Sequence, residues 1–305
     1  MAKIAFVGLG KMGLPMAQNL VKAGHQVTGF DLSAAAGRAW RDAGGTLAPS
    51  LAEAVAGAEF VISMVNTGKH VKSLYCDAGG VIAVAPKSAM LVDCSTIDVE
   101  TARAVARSAA DSGFTMVDAP VSGGVMGAAA ATLTFMVGGP EAAFERVRPI
   151  LAGMGRNIVH AGPSGNGQAA KICNNMMVGI HVVSTSEAMA LGMKLGLDPM
   201  TFFKIASTSS GQSWALTTYC PIPGPVPTSP ANNDYEPGFS TDLMLKDMRL
   251  SQEAATAVGA STPLGACTAS IYQALVNNGY GPKDFSIVAK LLSGELGLAA
   301  KKEPG

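Results

Sequence analysis

Lys171 and Asn175 stand four residues apart in GNGQAAKICNN (165–175), so a helix through them presents both side chains on one face, one turn apart. The run that follows is apolar, and a lysine is costly to bury without a partner or a task. Two readings of Lys171 are open. Its amine snorkels to solvent near the helix start, or it serves as general acid/base on a substrate hydroxyl while Asn175 orients the same molecule. A free lysine titrates near about 10.4, so the second reading requires burial or a neighbouring positive charge to favour the neutral amine at pH 7.

A second constellation opens the chain. In KIAFVGLGKMGLPMAQNLVKAGHQVTGFD (3–31), Gly8, Gly10 and Gly13 have GxGxxG spacing, with Leu9, Lys11 and Met12 between them. In a chain with 36 glycines that spacing alone is weak. Here it follows an apolar strand (residues 4–7), opens a helix ending near Gly24 and leads to a second strand ending at Asp31, which makes a complete βαβ unit. Such a turn brings its backbone close to a pyrophosphate held at the helix N-terminus. Asp31 is then placed to accept hydrogen bonds from a ribose and to repel a 2′-phosphate, and Leu32 and Ser33 supply no arginine in compensation. The expected cofactor is NAD. The competing reading is a structural turn with Asp31 as a helix cap.

DAPVSGG (118–124) ends an apolar run and presents Ser122, Gly123 and Gly124. Bare backbone N–H groups beside a hydroxyl suit an anion, although a Ser-Gly-Gly run is also simply a turn. Lys246 and Asp247 in LMLKDMRL read either as a helix-surface ion pair or as part of a site. Trp214 and Tyr219 precede the loop YCPIPGPVPTSPANNDYEPGF (219–239), which has six prolines and closes on Phe239. Trp214 and Tyr219 are either core or the walls of a small apolar pocket, while Phe239 is expected beside the cofactor with Lys246. None of the four histidines forms a ligand-spaced pair, and no metal site is expected.

The elements that position these residues fall into two halves. KIAFVG, QVTGFD, EFVISMV, AMLVDCS, FTMVDAP and LTFMVGG are short and nearly continuously apolar, and they alternate with alanine-rich helical segments. That pattern predicts an α/β fold with a doubly wound, mostly parallel sheet over residues 1–163. From 164 to 305 the chain reads as all helical. It begins with a linking helix at about 168–195, apolar nearly all round and so expected to be buried between the two halves. The final AAKKEPG reads as a solvated tail.

Bulk composition agrees with a well-packed globular protein whose partner is small and neutral or singly charged. Apolar residues make up 48% of the 305 and charged residues 14%. Lys plus Arg and Asp plus Glu each total 22, leaving no net field to recruit nucleic acid or a membrane surface. The five scattered cysteines include no CxxC pair and suit reduced thiols in a cytoplasm. No cleavable leader is read at the N-terminus, because Gly8, Gly10 and Lys11 interrupt its apolar run. Nor is a stretch of about 18 uninterrupted apolar residues read as a membrane span.

Together these stretches resemble the 3-hydroxyisobutyrate dehydrogenase family of β-hydroxyacid dehydrogenases, whose four signatures appear in order: the glycine-rich turn, DAPVSGG, GPSGNGQAAKICNN and KDMRLSQEAA. The resemblance implies an N-terminal Rossmann-type domain, a long interdomain helix and a C-terminal all-α domain. It implies Lys171 as acid/base, with Ser122, Gly123, Gly124 and Asn175 holding a 3-hydroxy acid. Val65, Asn66 and Thr96 match positions lining the NAD, Asn66 standing where many relatives have proline, and Lys246 and Asp247 match a motif beside the nicotinamide. The segment with Trp214 and Tyr219 looks like the branch oxidising 3-hydroxyisobutyrate in valine breakdown. Other 3-hydroxy acids such as L-serine, the semialdehyde reductases and a silent dinucleotide-binding protein are the alternatives. Homodimers or homotetramers through the helical domain are also implied.

Overall fold

A computed structural model describes residues 1–296, and the tail read at 299–305 lies outside them. The chain divides into two compact units, Met1–Lys171 and the residues from Ile172 onward.

The first unit is built on nine strands: β1 (Lys3–Val7), β2 (Gln26–Phe30), β3 (Thr46–Leu47), β4 (Phe60–Ser63), β5 (Met90–Asp93), β6 (Thr115–Asp118), β7 (Val121–Ser122), β8 (Leu133–Gly138) and β9 (Gly155–Gly162). The order β3-β2-β1-β4-β5-β6 is parallel throughout. β8 then runs antiparallel to β6 and β7, and β9 pairs with it in parallel. Alternation along the strands explains why both faces must be covered. Phe6, Ile62 and Val92 enter one apolar core while Ala5, Val61 and Leu91 enter another, so β4 and β5 are buried at every residue.

The register aligns the carboxyl ends. Val7 pairs with Phe30 and Ser63, Ser63 with Asp93, and Asp93 with Asp118, so five strands finish along one edge. In an open α/β sheet this edge is where ligands bind. All six strands read from sequence are present. The three that were missed are the two-residue β3 and β7, and β9, whose outer residues such as Val159 are exposed and break the continuous apolar signal.

From Ile172 the described residues form helices and turns, with a single isolated strand-like pairing of Ser240 with Asp284. Val182, Met244, Met248, Tyr272, Leu275 and Phe285 make the main core of this unit. The long helix runs Asn166–Lys194, against an expected 168–195. It is not enclosed on every side: Met177, Leu191 and Met193 are 54%, 61% and 37% exposed. An apolar circumference states what a helix can bury, and this chain alone covers only part of it. By length and composition the helix also passes for a membrane span, which the sequence reading did not find. Its Gln168, Lys171, Asn175 and Ser186 are nevertheless buried inside the protein, as in the core helix of a globular fold.

The proline-rich loop is closed on itself rather than loose. Ser229 Oγ donates to the Cys220 carbonyl at 2.6 Å, Tyr235 Oη to the Pro221 carbonyl at 3.0 Å, and Gly224 N to Asn232 Oδ1 at 2.8 Å. Cys220, Ile222, Val226, Ala231 and Tyr235 turn inward, which makes the segment a packed Ω-type loop.

Candidate active site

The glycine-rich turn has the shape its spacing requires. Gly8 has φ +92°, and a Cβ there would stand 2.2 Å from the Met64 carbonyl oxygen; one on Gly13 would stand 1.9 Å from that of Gly8. A Cβ on Gly10 would meet nothing within 4 Å, so the middle glycine faces open space. The helix Gly13–Lys22 that follows has no acidic residue in its first turn, and its N-terminus therefore favours an anion. Leu9 is buried, Met12 packs against the core and Lys11 is exposed. Asp31 follows β2 and is fastened to the turn: Oδ2 accepts from Leu9 N at 2.6 Å and Oδ1 from Ser33 N at 2.7 Å. Each oxygen keeps a second lone pair for a ribose hydroxyl. The cradle and the carboxylate fit NAD.

The next two strand ends are joined by a buried network that the sequence reading did not identify. Asp93 Oδ1 accepts from Ser63 Oγ at 2.8 Å and from Ser95 Oγ at 2.6 Å, and Tyr75 Oη lies 2.8 Å from Ser63 Oγ. Ser95 Oγ in turn accepts from Val65 N at 2.9 Å. The network fixes the backbone at Val65 and beside the half-buried Thr96, while Asn66 is exposed. Burial pushes the Asp93 carboxyl up to about 6, against the pull of its serine donors.

At the end of β7, Ser122 is half-buried and is followed by Gly123 and Gly124 at φ +132° and +62°. Side chains rarely take such angles, so the paired glycines are a conformational requirement. Asn19 Nδ2 reaches from the cofactor helix to the Ala128 carbonyl at 2.6 Å, tying this segment to the dinucleotide cradle.

Asp118, at the end of β6, spans to the start of the long helix: Oδ1 accepts from Gly165 N at 2.7 Å and Oδ2 from Gln168 N at 2.9 Å. Burial raises its pKa, opposed by these backbone donors. One turn further, Lys171 is only 7% exposed, which removes the snorkelling reading.

In the second unit, Asn175 is buried, and its Nδ2 donates to Asp247 Oδ2 at 2.5 Å while Oδ1 accepts from Asn174 Nδ2 at 3.0 Å. Asp247 is 2% exposed, with Oδ1 lying 3.6 Å from Lys246 Nζ and accepting no hydrogen bond among the described residues. The Lys246–Asp247 pair is therefore no surface ion pair, since its carboxylate faces inward and braces Asn175. Trp214, half-exposed, stacks on Tyr219 at 4.8 Å, and Tyr219 stacks on Phe285 at 5.3 Å, with Phe239 edge-on to Phe285 at 5.8 Å. Asp284 holds this group. Its Oδ2 accepts from Tyr219 Oη at 2.7 Å and from Gly238 N and Phe239 N at 3.0 and 3.1 Å. Asp284 and Phe285 were not identified from sequence; their one visible signal is a carboxylate beside an aromatic in KDFSI.

Two family models match the chain: the NAD-binding domain of 6-phosphogluconate dehydrogenase over residues 3–162, and the NAD-binding region of NADP-dependent 3-hydroxyisobutyrate dehydrogenase over residues 165–292. The chain is 50% identical to a 3-hydroxyisobutyrate dehydrogenase of Pseudomonas aeruginosa, across 97% of this chain and 100% of the relative. It is 48% identical to an NAD-dependent L-serine dehydrogenase of the same organism, across 95% and 98%. The solved structure of Mycobacterium tuberculosis 3-hydroxyisobutyrate dehydrogenase with L-serine superposes with a TM-score of 0.92 at 48% identity, covering 96% of this chain and 99% of that one.

Proposed function

Because this chain belongs to the 3-hydroxyisobutyrate dehydrogenase family, we propose that it oxidises (S)-3-hydroxyisobutyrate to methylmalonate semialdehyde in valine breakdown, with Lys171 as general acid/base. The observation that carries the assignment is the burial of Lys171 in the second turn of a helix braced to the sheet edge where the cofactor cradle ends.

Bound NAD supplies the hydride acceptor. Ser122 and the N–H groups of Gly123 and Gly124 take the substrate carboxylate, their left-handed backbone leaving no side chain in the way. The neutral Lys171 amine accepts the proton of the 3-hydroxyl as its carbon gives up hydride, and returns it in the reductive direction. Asn175, its amide orientation fixed by Asp247, points the hydroxyl at Lys171. The family resemblance further assigns Val65, Asn66 and Thr96 in the first unit, and Phe239 and Lys246 in the second, to the cofactor. The stack of Trp214 and Tyr219 presents an apolar wall to the substrate methyl.

A second reading, L-serine oxidation, is favoured by the serine dehydrogenase relative and by the serine-containing mycobacterial structure. Serine carries a charged amine where hydroxyisobutyrate has its methyl, and an aromatic wall penalises that exchange. We assign the enzyme to the cytoplasm, in keeping with five unpaired cysteines, and to a homodimer or homotetramer through the helical region 164–305. The exposed Met177, Leu191 and Met193 are the apolar surface such an assembly would cover.

Initial rates of NADH formation with 3-hydroxyisobutyrate and L-serine, for the wild type and for Lys171→Ala, test the proposal. The wild type should prefer hydroxyisobutyrate in kcat/KM, and the variant should lose about 10²–10⁴ in turnover with NAD affinity retained. Near-normal turnover in Lys171→Ala would overturn the assignment, and a preference for serine would replace the substrate.

A further inference from the structure

We propose that Gln168 is a positioning residue that locks Lys171 to the strand end at Ser95 and Ile97, so that the acid/base and the backbone around Thr96 are held as one rigid piece. The proposal rests on the reading of Lys171 as acid/base.

Gln168 is fully buried, and both ends of its amide are engaged by the same short stretch of β5's extension. Nε2 donates to the Ser95 carbonyl at 2.7 Å, and Oε1 accepts from Ile97 N at 3.1 Å. These two backbone groups flank Thr96, so the side-chain amide pairs with them as a neighbouring strand's peptide would. The pairing satisfies two strand-end groups that would otherwise be orphaned, and it specifies distance and rotation together.

The backbone beneath Gln168 is equally constrained. Its own N–H goes to Asp118 Oδ2, and Gly165 N goes to Oδ1 of the same carboxylate. A Cβ on Gly167 would stand 2.4 Å from the Met136 carbonyl oxygen and 2.7 Å from that of Asp118, so the helix start is pressed against the ends of β6 and β8. Gln168 adds the link to β5 and leaves the first helical turn little freedom to slide or rotate. Lys171 follows three residues later on the neighbouring part of the same face. A reacting amine misplaced by about 1 Å can cost on the order of 10²-fold in rate, so a brace one turn away carries kinetic weight.

The test is a double-mutant cycle with Gln168→Met, similar in length but unable to make either bond, Lys171→Ala, and the pair combined. Steady-state rates would be supplemented by single turnovers for the slow variants. Gln168→Met is expected to lower kcat at least tenfold while leaving the KM for NAD within twofold. Its effect is expected to vanish in the Lys171→Ala background, because a residue acting through Lys171 has nothing left to position.

Hydrogen exchange supplies a readout independent of turnover. Gln168→Met should speed exchange at residues 95–98 and 165–171 while the remaining sheet keeps its protection. Should Gln168→Met fail to fold, Gln168→Asn, which keeps the amide but cannot reach both partners, takes its place in the cycle. Turnover within twofold of wild type, or an undiminished loss on top of Lys171→Ala, overturns the proposal while leaving Lys171 in its role. Full turnover in Lys171→Ala alone overturns the role of Lys171 and this inference with it.

Discussion

Asn175 and Asp247, 72 residues apart in sequence, share a buried hydrogen bond from Nδ2 to Oδ2 at 2.5 Å. A carboxamide can present either end to a substrate, and the carboxylate settles which end turns away. Asp247→Ala should therefore lower kcat/KM for the hydroxy acid about 10- to 100-fold, the equivalent of one charge-assisted hydrogen bond, with the KM for NAD little changed. Steady-state kinetics with each substrate varied in turn reads this split, and an equal rise in both KM values would contradict it.

Asp93 gives a pH dependence of stability with a defined sign. The folded protein retains its proton up to about pH 6, whereas an unfolded aspartate releases it near about 3.9. Between those values the native state binds more protons, so this group's contribution to stability falls as pH rises and levels off above about 6. Asp93→Asn cannot ionise and lacks this slope. Urea unfolding at pH 4 and pH 7 should show the wild type losing about 2 kcal/mol relative to the variant across that interval. A difference independent of pH would remove the effect.

Asp31 bears on the choice of cofactor. Asp31→Ser removes the carboxylate that is expected to face a bound adenosine ribose while keeping a hydroxyl near Leu9 N. NADH affinity, followed by fluorescence titration, should weaken about 10- to 100-fold, and NADPH should gain relative to it. An unchanged ratio of the two would show that discrimination lies elsewhere.

The aromatic stack can be taken apart in two ways. Tyr219→Phe keeps the ring on Phe285 and deprives Asp284 of one donor, so it should cost about 1–3 kcal/mol of stability with little change in substrate KM. Trp214→Ala removes the outer ring, which is half-exposed, so stability should change less while the KM for hydroxyisobutyrate rises relative to that for L-serine. Thermal unfolding and paired kinetics on the two variants separate these effects.

The parts of the molecule legible in the sequence were those whose chemistry is local. GxGxxG, Asp31 and the strand before them lie within one βαβ unit, and continuous apolar runs mark strands covered on both faces. Lys171 stood out because its cost of burial is a property of the residue itself. Asp93, Asp118, Gln168 and Asp284 did not, because each acts through partners that only the fold brings near. Asp118 meets Gly165 across 47 positions, and Gln168 meets Ser95 across 73. For Asp93 and Asp118 the one local trace is a carboxylate closing an apolar strand, as in LVDCS and MVDAP, which is equally the mark of an ordinary turn. The long helix misled for a related reason: its pattern shows how much apolar surface it has, without saying what covers it.

The proline-rich loop has a further consequence for selectivity. Six of its residues have φ fixed before folding, and hydrogen bonds from Ser229, Asn232 and Tyr235 hold much of the remainder. On the proposed function, the wall it carries at Tyr219 would thus have already given up its conformational entropy before a substrate arrives, and binding would incur little ordering penalty there. A rigid wall of this kind discriminates by refusal rather than by adjustment. Broadening the substrate range would accordingly come from exchanging the side chains mounted on the loop, since the frame itself does not yield.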